Sequence, residues 1–178
     1  MKGSKVILFV LWWWLPLVAG AQERDVLSVT CPSGQEMLVG WGDRSDMEQP
    51  PYSGWFDHTY AEYHPDDSSL HVLRGTPLSG MEVLVVLGTW CPDSRREVPR
   101  FFRVADVLEI PDTNIRVLYV DRSKKAPRME EDTLRIERVP TFIFYFDGKE
   151  VARIIEVPQG SFEEEFGRIA RIMREKKQ

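Results

Sequence analysis

Residues 83–87 form an unbroken run of branched and long apolar side chains, Val-Leu-Val-Val-Leu. A run of this kind, without polar alternation, is typical of a strand that is covered on both faces. Gly-Thr-Trp-Cys follows it, and from about Pro92 to Glu109 the apolar residues recur at three- and four-residue steps. We therefore expect a buried strand that leads directly into an amphipathic helix.

The alternation of strand and helix continues to the C-terminus. Three further strands are predicted at residues 115–120, 141–146 and 149–155. A short helix is predicted between the first two of them, at residues 128–136. Asp147-Gly148 suits a tight hairpin because both of its turn positions need a positive φ. Ser161 opens a capping box for a last helix that ends near Glu175. The predicted fold is an α/β three-layer sandwich of order β-α-β-α-β-β-α, with one parallel pair and one antiparallel hairpin.

Residues 22–80 do not fit this repeat. We predict that they form a mostly helical N-terminal extension that packs on the core domain, residues 81–178. Aromatic side chains at helical spacing occur at Tyr52, Trp55, Phe56, Tyr60 and Tyr63. Such stripes are usually core, and a ledge for a binding partner is the alternative. A second short helix is predicted at residues 66–74.

Residues 1–21 have the pattern of a secretory signal peptide. Lys2 and Lys5 precede an uncharged run, residues 6–21, that ends in Ala-Gly-Ala. An uncleaved anchor is the alternative, but a bilayer-spanning helix needs about 20 apolar residues, and this run is shorter and contains Pro16. We expect a periplasmic or secreted protein of the bacterial envelope that meets the membrane only through its signal peptide before cleavage.

The charged residues argue against two classes of site. With 23 Lys+Arg against 28 Asp+Glu, the net charge is −5, whereas a nucleic-acid binder would need a basic face. His58, His64 and His71 do not have zinc-ligand spacing, and the acids within residues 43–48 are too few for a calcium loop. We expect no nucleic acid, no metal and no cofactor.

Cys91 lies where the first core strand meets the first helix. A helix N-terminus presents unpaired N–H groups and the positive end of the dipole, which favour the thiolate, the attacking form of a cysteine. Pro92 suits the first helical turn. Arg95, Arg96 and Arg100 either help to hold the thiolate or form a solvated helix face.

Several spaced features accompany Cys91. They are Trp90-Cys91 after the strand, Pro99 within the helix, Val139-Pro140-Thr141, and the Asp147-Gly148 turn. In this order and spacing they resemble the thioredoxin family over residues 82–175, in which they correspond to the W-C-x-x-C signature, the helix-kinking proline, the cis-proline loop and the hairpin. The resemblance implies thiol–disulfide exchange with client protein disulfides or small thiols. The residues that it implies for client binding are Trp90, Pro92, Val139, Pro140 and Thr141.

Three positions depart from the family pattern. Ser94 replaces the second, resolving cysteine; its hydroxyl can donate a hydrogen bond to a thiolate but cannot attack a mixed disulfide. Val85 and Val117 replace the acid and lysine that the family often buries. The resemblance therefore implies a monothiol C-x-x-S site, with Cys91 and Ser94 as its catalytic residues and an external thiol as the reductant.

Two alternatives remain open at this stage. A thioredoxin-fold module that captures clients without turnover would also tolerate the loss of the resolving thiol. Cys31 is either free, paired with another molecule, or a distal thiol bonded to Cys91, which would require Cα atoms within roughly 7 Å.

Overall fold

The structure is a computed structural model, and it describes residues 24–31, 33–73, 78, 80–128 and 133–176. Within these residues the strands are β1 Leu27–Thr30, β2 Glu36–Gly42, β3 Met81–Leu87, β4 Ile115–Tyr119, β5 Thr141–Phe146 and β6 Lys149–Ile155. The α-helices are α1 Ser53–Glu62, α2 Asp67–Leu73, α3 Pro92–Val107 and α4 Phe162–Lys176. The predicted signal peptide lies outside the described residues, as do residues 129–132 of the helix predicted at 128–136.

The six strands form one sheet in the order β1-β2-β4-β3-β5-β6. β3 runs parallel to β4 and antiparallel to β5, and β5 and β6 form an antiparallel hairpin. At the hairpin turn Asp147 and Gly148 have φ values of 49° and 70°. The α/β architecture, its parallel pair and its hairpin are therefore as the sequence predicts.

The N-terminal segment contributes two strands that the sequence analysis did not predict. β2 pairs antiparallel with β4, and β1 pairs with β2 at the edge of the sheet. Residues on both sides of position 81 thus share one sheet, and the proposed domain division there stays a prediction. α1 lies along α3, where the rings of Phe56 and Phe102 are 6.1 Å apart and the Tyr60 hydroxyl donates to Asp106 at 2.6 Å.

Each face of the sheet has its own apolar core. One face packs against α3 and α4 through an aromatic cluster of Phe101, Phe142, Phe144, Phe162 and Phe166. The opposite face carries a smaller cluster built on Val86, Leu118 and Ile143, which also contains Cys91 and Val139. The candidate nucleophile therefore lies at the margin of the smaller core. No helix in the described ranges has the length and apolar character needed to cross a membrane.

Candidate active site

The turn between β3 and α3 fixes Cys91 at a helix N-terminus. Cys91 is the N-cap of α3, with extended backbone at φ −84° and ψ 126°, and its N–H donates to the Gly88 carbonyl at 2.9 Å. Pro92 begins the helix, where the N–H that proline lacks would have no intrahelical partner. The sulfur is thereby held at the positive end of α3.

A second chain segment meets the sulfur. The Cys91 Sγ–H donates to the carbonyl oxygen of Val139 at 3.3 Å, and the Val139–Pro140 peptide is cis. Thr141 ties this loop down, because its hydroxyl donates to the carbonyl of Arg138 at 2.7 Å. Cys91 is 7% exposed, so apolar neighbours cover most of the residue without sealing it. The structure thus brings Cys91, Val139 and Pro140 together.

Trp90 is immobilised beside Cys91. Its indole lies directly on Gly88, where a Cβ atom would come within 2.5 Å of the ring. The indole N–H donates to the Val120 carbonyl at 3.0 Å, and the Arg122 guanidinium stands over the ring at 5.4 Å from its centroid. These contacts hold a half-buried aromatic surface next to the thiol.

Ser94 occupies the position of the missing second thiol, one turn into α3. It is buried, and its Oγ accepts the N–H of Gly88 at 3.4 Å. The hydrogen bond from Ser94 to Cys91 that the sequence allows is not formed; the Cys91 Sγ–H donates to the Val139 carbonyl. Both cysteines are free thiols, and buried Cys31 lies against Met37, with its Sγ 3.7 Å from the Sδ. The distal disulfide is therefore not formed in this structure.

The positions of the family's buried ion pair are apolar. Val85 on β3 and Val117 on β4 are register partners, and both side chains are buried. In the described part of the chain, the two positions where the family often buries an acid and a lysine therefore carry no charge. Within the described residues no group of three or more His, Cys, Asp or Glu side chains could hold a metal ion.

Three of the four arginines of α3 were expected either to hold the thiolate or to form a solvated face, and their partners differ. Arg96 and Arg100 pair with Glu97 at 2.6 and 3.3 Å. Arg95 turns to the active-site loop, where its Nε donates to the Thr89 carbonyl at 2.6 Å.

The sequence analysis missed the role of Thr89. Its buried hydroxyl accepts the N–H of Leu38 at 3.1 Å, which attaches β2 to the active-site turn. The two residues are 51 positions apart, and no local pattern predicts a contact over that distance.

The family model described as thioredoxin matches residues 58–166, more than half of the 178-residue chain. The chain belongs to the thioredoxin family. The match begins within the predicted extension and includes Cys91, Ser94 and the Val139–Pro140 loop.

This thioredoxin-family protein is similar in fold to proteins of known structure. A protein of unknown function from Pseudomonas aeruginosa is 14% identical, with coverage of 78% of this chain and 94% of its own and a TM-score of 0.55. An HIV epitope-scaffold is 14% identical, with coverage of 77% and 94% and a TM-score of 0.53. Thioredoxin from Aeropyrum pernix is 21% identical, with coverage of 60% and 86% and a TM-score of 0.38. Comparison with curated proteins gives no match. The family and the fold indicate chemistry of the thiol–disulfide oxidoreductase type.

Proposed function

We propose that this protein is a monothiol thiol–disulfide oxidoreductase that forms mixed disulfides through Cys91. The observation that carries the proposal is the position of the Cys91 sulfur, at the N-terminus of α3 and 3.3 Å from the Val139 carbonyl oxygen. A helix N-terminus favours negative charge on a sulfur. The half-buried Trp90 and the Val139–Pro140 loop provide surface for a client beside it.

The first step is attack of the Cys91 thiolate on a client disulfide. A bond forms between Cys91 Sγ and one client sulfur, the client S–S bond breaks, and the second client sulfur leaves as a thiolate that takes up a proton. The product is a protein–client mixed disulfide. The electron pair of the broken bond leaves with the departing sulfur.

Release requires a thiol from outside the active site, because Ser94 has a hydroxyl where a resolving thiol would stand. One low-molecular-weight thiol attacks Cys91 Sγ, frees the client and remains bonded to Cys91. A second thiol attacks that bond, restores Cys91 and leaves as a small-molecule disulfide. In sum, two external thiols are oxidised to one disulfide and one client disulfide is reduced.

The test is turnover of a disulfide substrate in the presence of excess external thiol. We expect reduction beyond one equivalent per protein, loss of that reduction in Cys91→Ala, and retention in Cys31→Ala, the matched control. Intact mass after alkylation reports the state of each thiol in the same samples.

Other outcomes contradict the proposal. A burst of one equivalent that then stops would identify a capture module, and Cys91 that resists alkylation near neutral pH would exclude thiol chemistry altogether. Turnover that survives Cys91→Ala would place the reaction elsewhere.

The proposed reaction belongs in an extracytoplasmic compartment, where disulfide clients persist. The support is the pattern of residues 1–21, which we propose to be cleaved on export. The intact mass of the exported protein is expected to match that of a chain beginning at Gln22. A full-length chain that remains in the membrane fraction would instead favour the anchor.

A further inference from the structure

A groove lies beside the active-site turn, between the β1–β2 loop, the segment that precedes α1, and the first turn of α3. We call it the Arg95 groove. Its volume is about 550 Å³, within the roughly 300–1,000 Å³ of small-molecule sites. Residues that line it include Gln35, Glu36, Pro51, Tyr52, Trp55 and Arg95.

One buried hydrogen-bond donor at this groove, the Nε1–H of Trp55, has no hydrogen-bond partner among the described residues. The neighbouring Tyr52 is 5% exposed, and its hydroxyl lies beside the hydroxyls of Ser28 and Thr89. Buried donors without acceptors are rare because they have lost their water without a replacement. An acceptor supplied by a ligand would satisfy the indole N–H.

Arg95 adds a cation to the same groove. Its Nε is used by Thr89, and its guanidinium lies 6.0 Å from the centroid of the Trp55 ring. Arg96 and Arg100 both pair with Glu97, whereas Arg95 pairs with no carboxylate in the described part of the chain. A guanidinium beside an unpaired indole N–H is suited to a carboxylate, which accepts several hydrogen bonds.

Two hydrogen bonds connect residues that line the groove to residues of the active site. The backbone N–H of Arg95 donates to the Cys91 carbonyl at 3.1 Å, so the two residues lie one helical turn apart along α3, and the Arg95 side chain reaches back to Thr89 in the active-site turn. On the opposite wall, Gln35 accepts a hydrogen bond at 2.6 Å from Arg122, whose guanidinium stands over Trp90. The exposed carboxylate of Glu36 also lines the groove, which disfavours a ligand of high negative charge.

We propose that the Arg95 groove binds the carboxylate of the low-molecular-weight thiol that exchanges with Cys91. This inference rests on the proposed monothiol function and names the class of its external reductant. Arg95 and the indole N–H of Trp55 bind the carboxylate, and the sulfur of the same small molecule reaches Cys91. A carboxylate side chain of the client is the other source of the same chemistry, and the test separates the two.

The kinetic test compares two thiols that differ only by a carboxylate. In a Cys31→Ala background, Cys91 is converted to its mixed disulfide with 2-nitro-5-thiobenzoate, and release of the coloured thiolate by N-acetylcysteine and by N-acetylcysteamine is followed. The ratio of the two rates is divided by the same ratio for a small-molecule mixed disulfide. We expect a preference of about tenfold for the carboxylate thiol, lost in Arg95→Gln and kept in Arg96→Gln.

A binding test needs no thiol chemistry. N-acetylalanine is titrated into the Cys91→Ala protein, and the indole N–H resonance of Trp55 is followed by NMR, with N-acetylalaninamide as the uncharged control. We expect a saturable shift with the carboxylate only, abolished by Arg95→Gln and kept in Arg96→Gln.

The outcomes separate this inference from the proposed function. The proposed carboxylate site is overturned if N-acetylalanine gives no saturable shift or if the amide gives an equal shift. A rate preference that survives Arg95→Gln would overturn it as well. A shift with an acetylated Asp-containing peptide but not with N-acetylalanine would assign the carboxylate to the client and overturn the small-thiol assignment. If neither thiol releases the coloured adduct while N-acetylalanine still binds, the proposed function fails and the carboxylate site stands.

Discussion

Glu163 on α4 accepts a hydrogen bond at 3.0 Å from the hydroxyl of Tyr63, which lies 100 positions earlier in the chain. The same carboxylate accepts the backbone N–H of Asp66 at 2.8 Å, and Glu163 is 2% exposed. One buried side chain therefore fastens the segment between α1 and α2 to the last helix. A carboxylate in this position is expected to stabilise the fold, since both of its donors would otherwise lack an acceptor.

Glu163→Ala should lower the free energy of unfolding by about 2 kcal/mol, because it leaves two donors without an acceptor. Urea denaturation at neutral pH measures the change. Glu175→Ala, at an exposed position near the end of the same helix, is the control and should stay within about 0.5 kcal/mol of the wild type. Equal losses in the two variants would show that the buried hydrogen bonds contribute nothing.

Stability should fall at alkaline pH because of the tyrosines. The chain has 5 tyrosines, and burial raises the pKa of every one of them above 10. Near pH 10 the unfolded chain releases phenolic protons that the folded chain keeps, so the free energy of unfolding decreases as the pH rises through that range. Below it all tyrosines are neutral in both states, and the contribution is fully present.

Phenolate absorbance checks this expectation. In urea the tyrosines should titrate near their ordinary pKa of about 10. In the native protein ionisation should be delayed to higher pH and should coincide with loss of the far-UV circular dichroism signal. Native tyrosines that all titrate near pH 10 while the fold persists would contradict the burial seen in the structure.

Gly88→Ala should disturb the active-site turn. A Cβ at this position would lie 2.5 Å from the Trp90 indole, so the ring must leave its place and its hydrogen bond to Val120. We expect a loss of about 1–3 kcal/mol in stability and a red shift of tryptophan emission. Gly54→Ala, in the first turn of α1, is the control, because a Cβ there meets nothing within 4 Å and should leave the stability within about 0.5 kcal/mol of the wild type. A Gly88→Ala protein as stable as Gly54→Ala, with unchanged emission, would refute the contact.

The parts of the fold that the sequence predicts are those with a local signal. The apolar run ending at Leu87, the three- and four-residue spacing that follows it, and the Asp147-Gly148 turn each define an element without reference to distant residues. β2 also contains an apolar stretch, Met37-Leu38-Val39, but the glycines at 40 and 42 interrupt its pattern. Its pairing with β4 is a long-range contact that only the assembled sheet provides.

The site divides in the same way. The placement of Cys91 at a helix start follows from the local sequence, and the Val139–Pro140 loop follows from the family resemblance. The Arg95 groove does not, because Tyr52, Trp55 and Arg95 come from two segments about 40 residues apart that meet only when α1 packs along α3. Spacing along one chain carries no record of that packing.

Ser94→Cys should convert the site into a dithiol. Ser94 is buried at the start of α3, and a sulfur in place of its oxygen stands at the resolving position without a change of backbone. We expect an oxidised form that is lighter than the reduced form by two hydrogens, and faster reduction of insulin by a small thiol than the wild type achieves. Ser94→Ala, which removes the hydroxyl without adding a thiol, should gain neither property. If Ser94→Cys forms the disulfide but reduces insulin no faster than the wild type, lack of a resolving thiol is not what limits this protein on such clients.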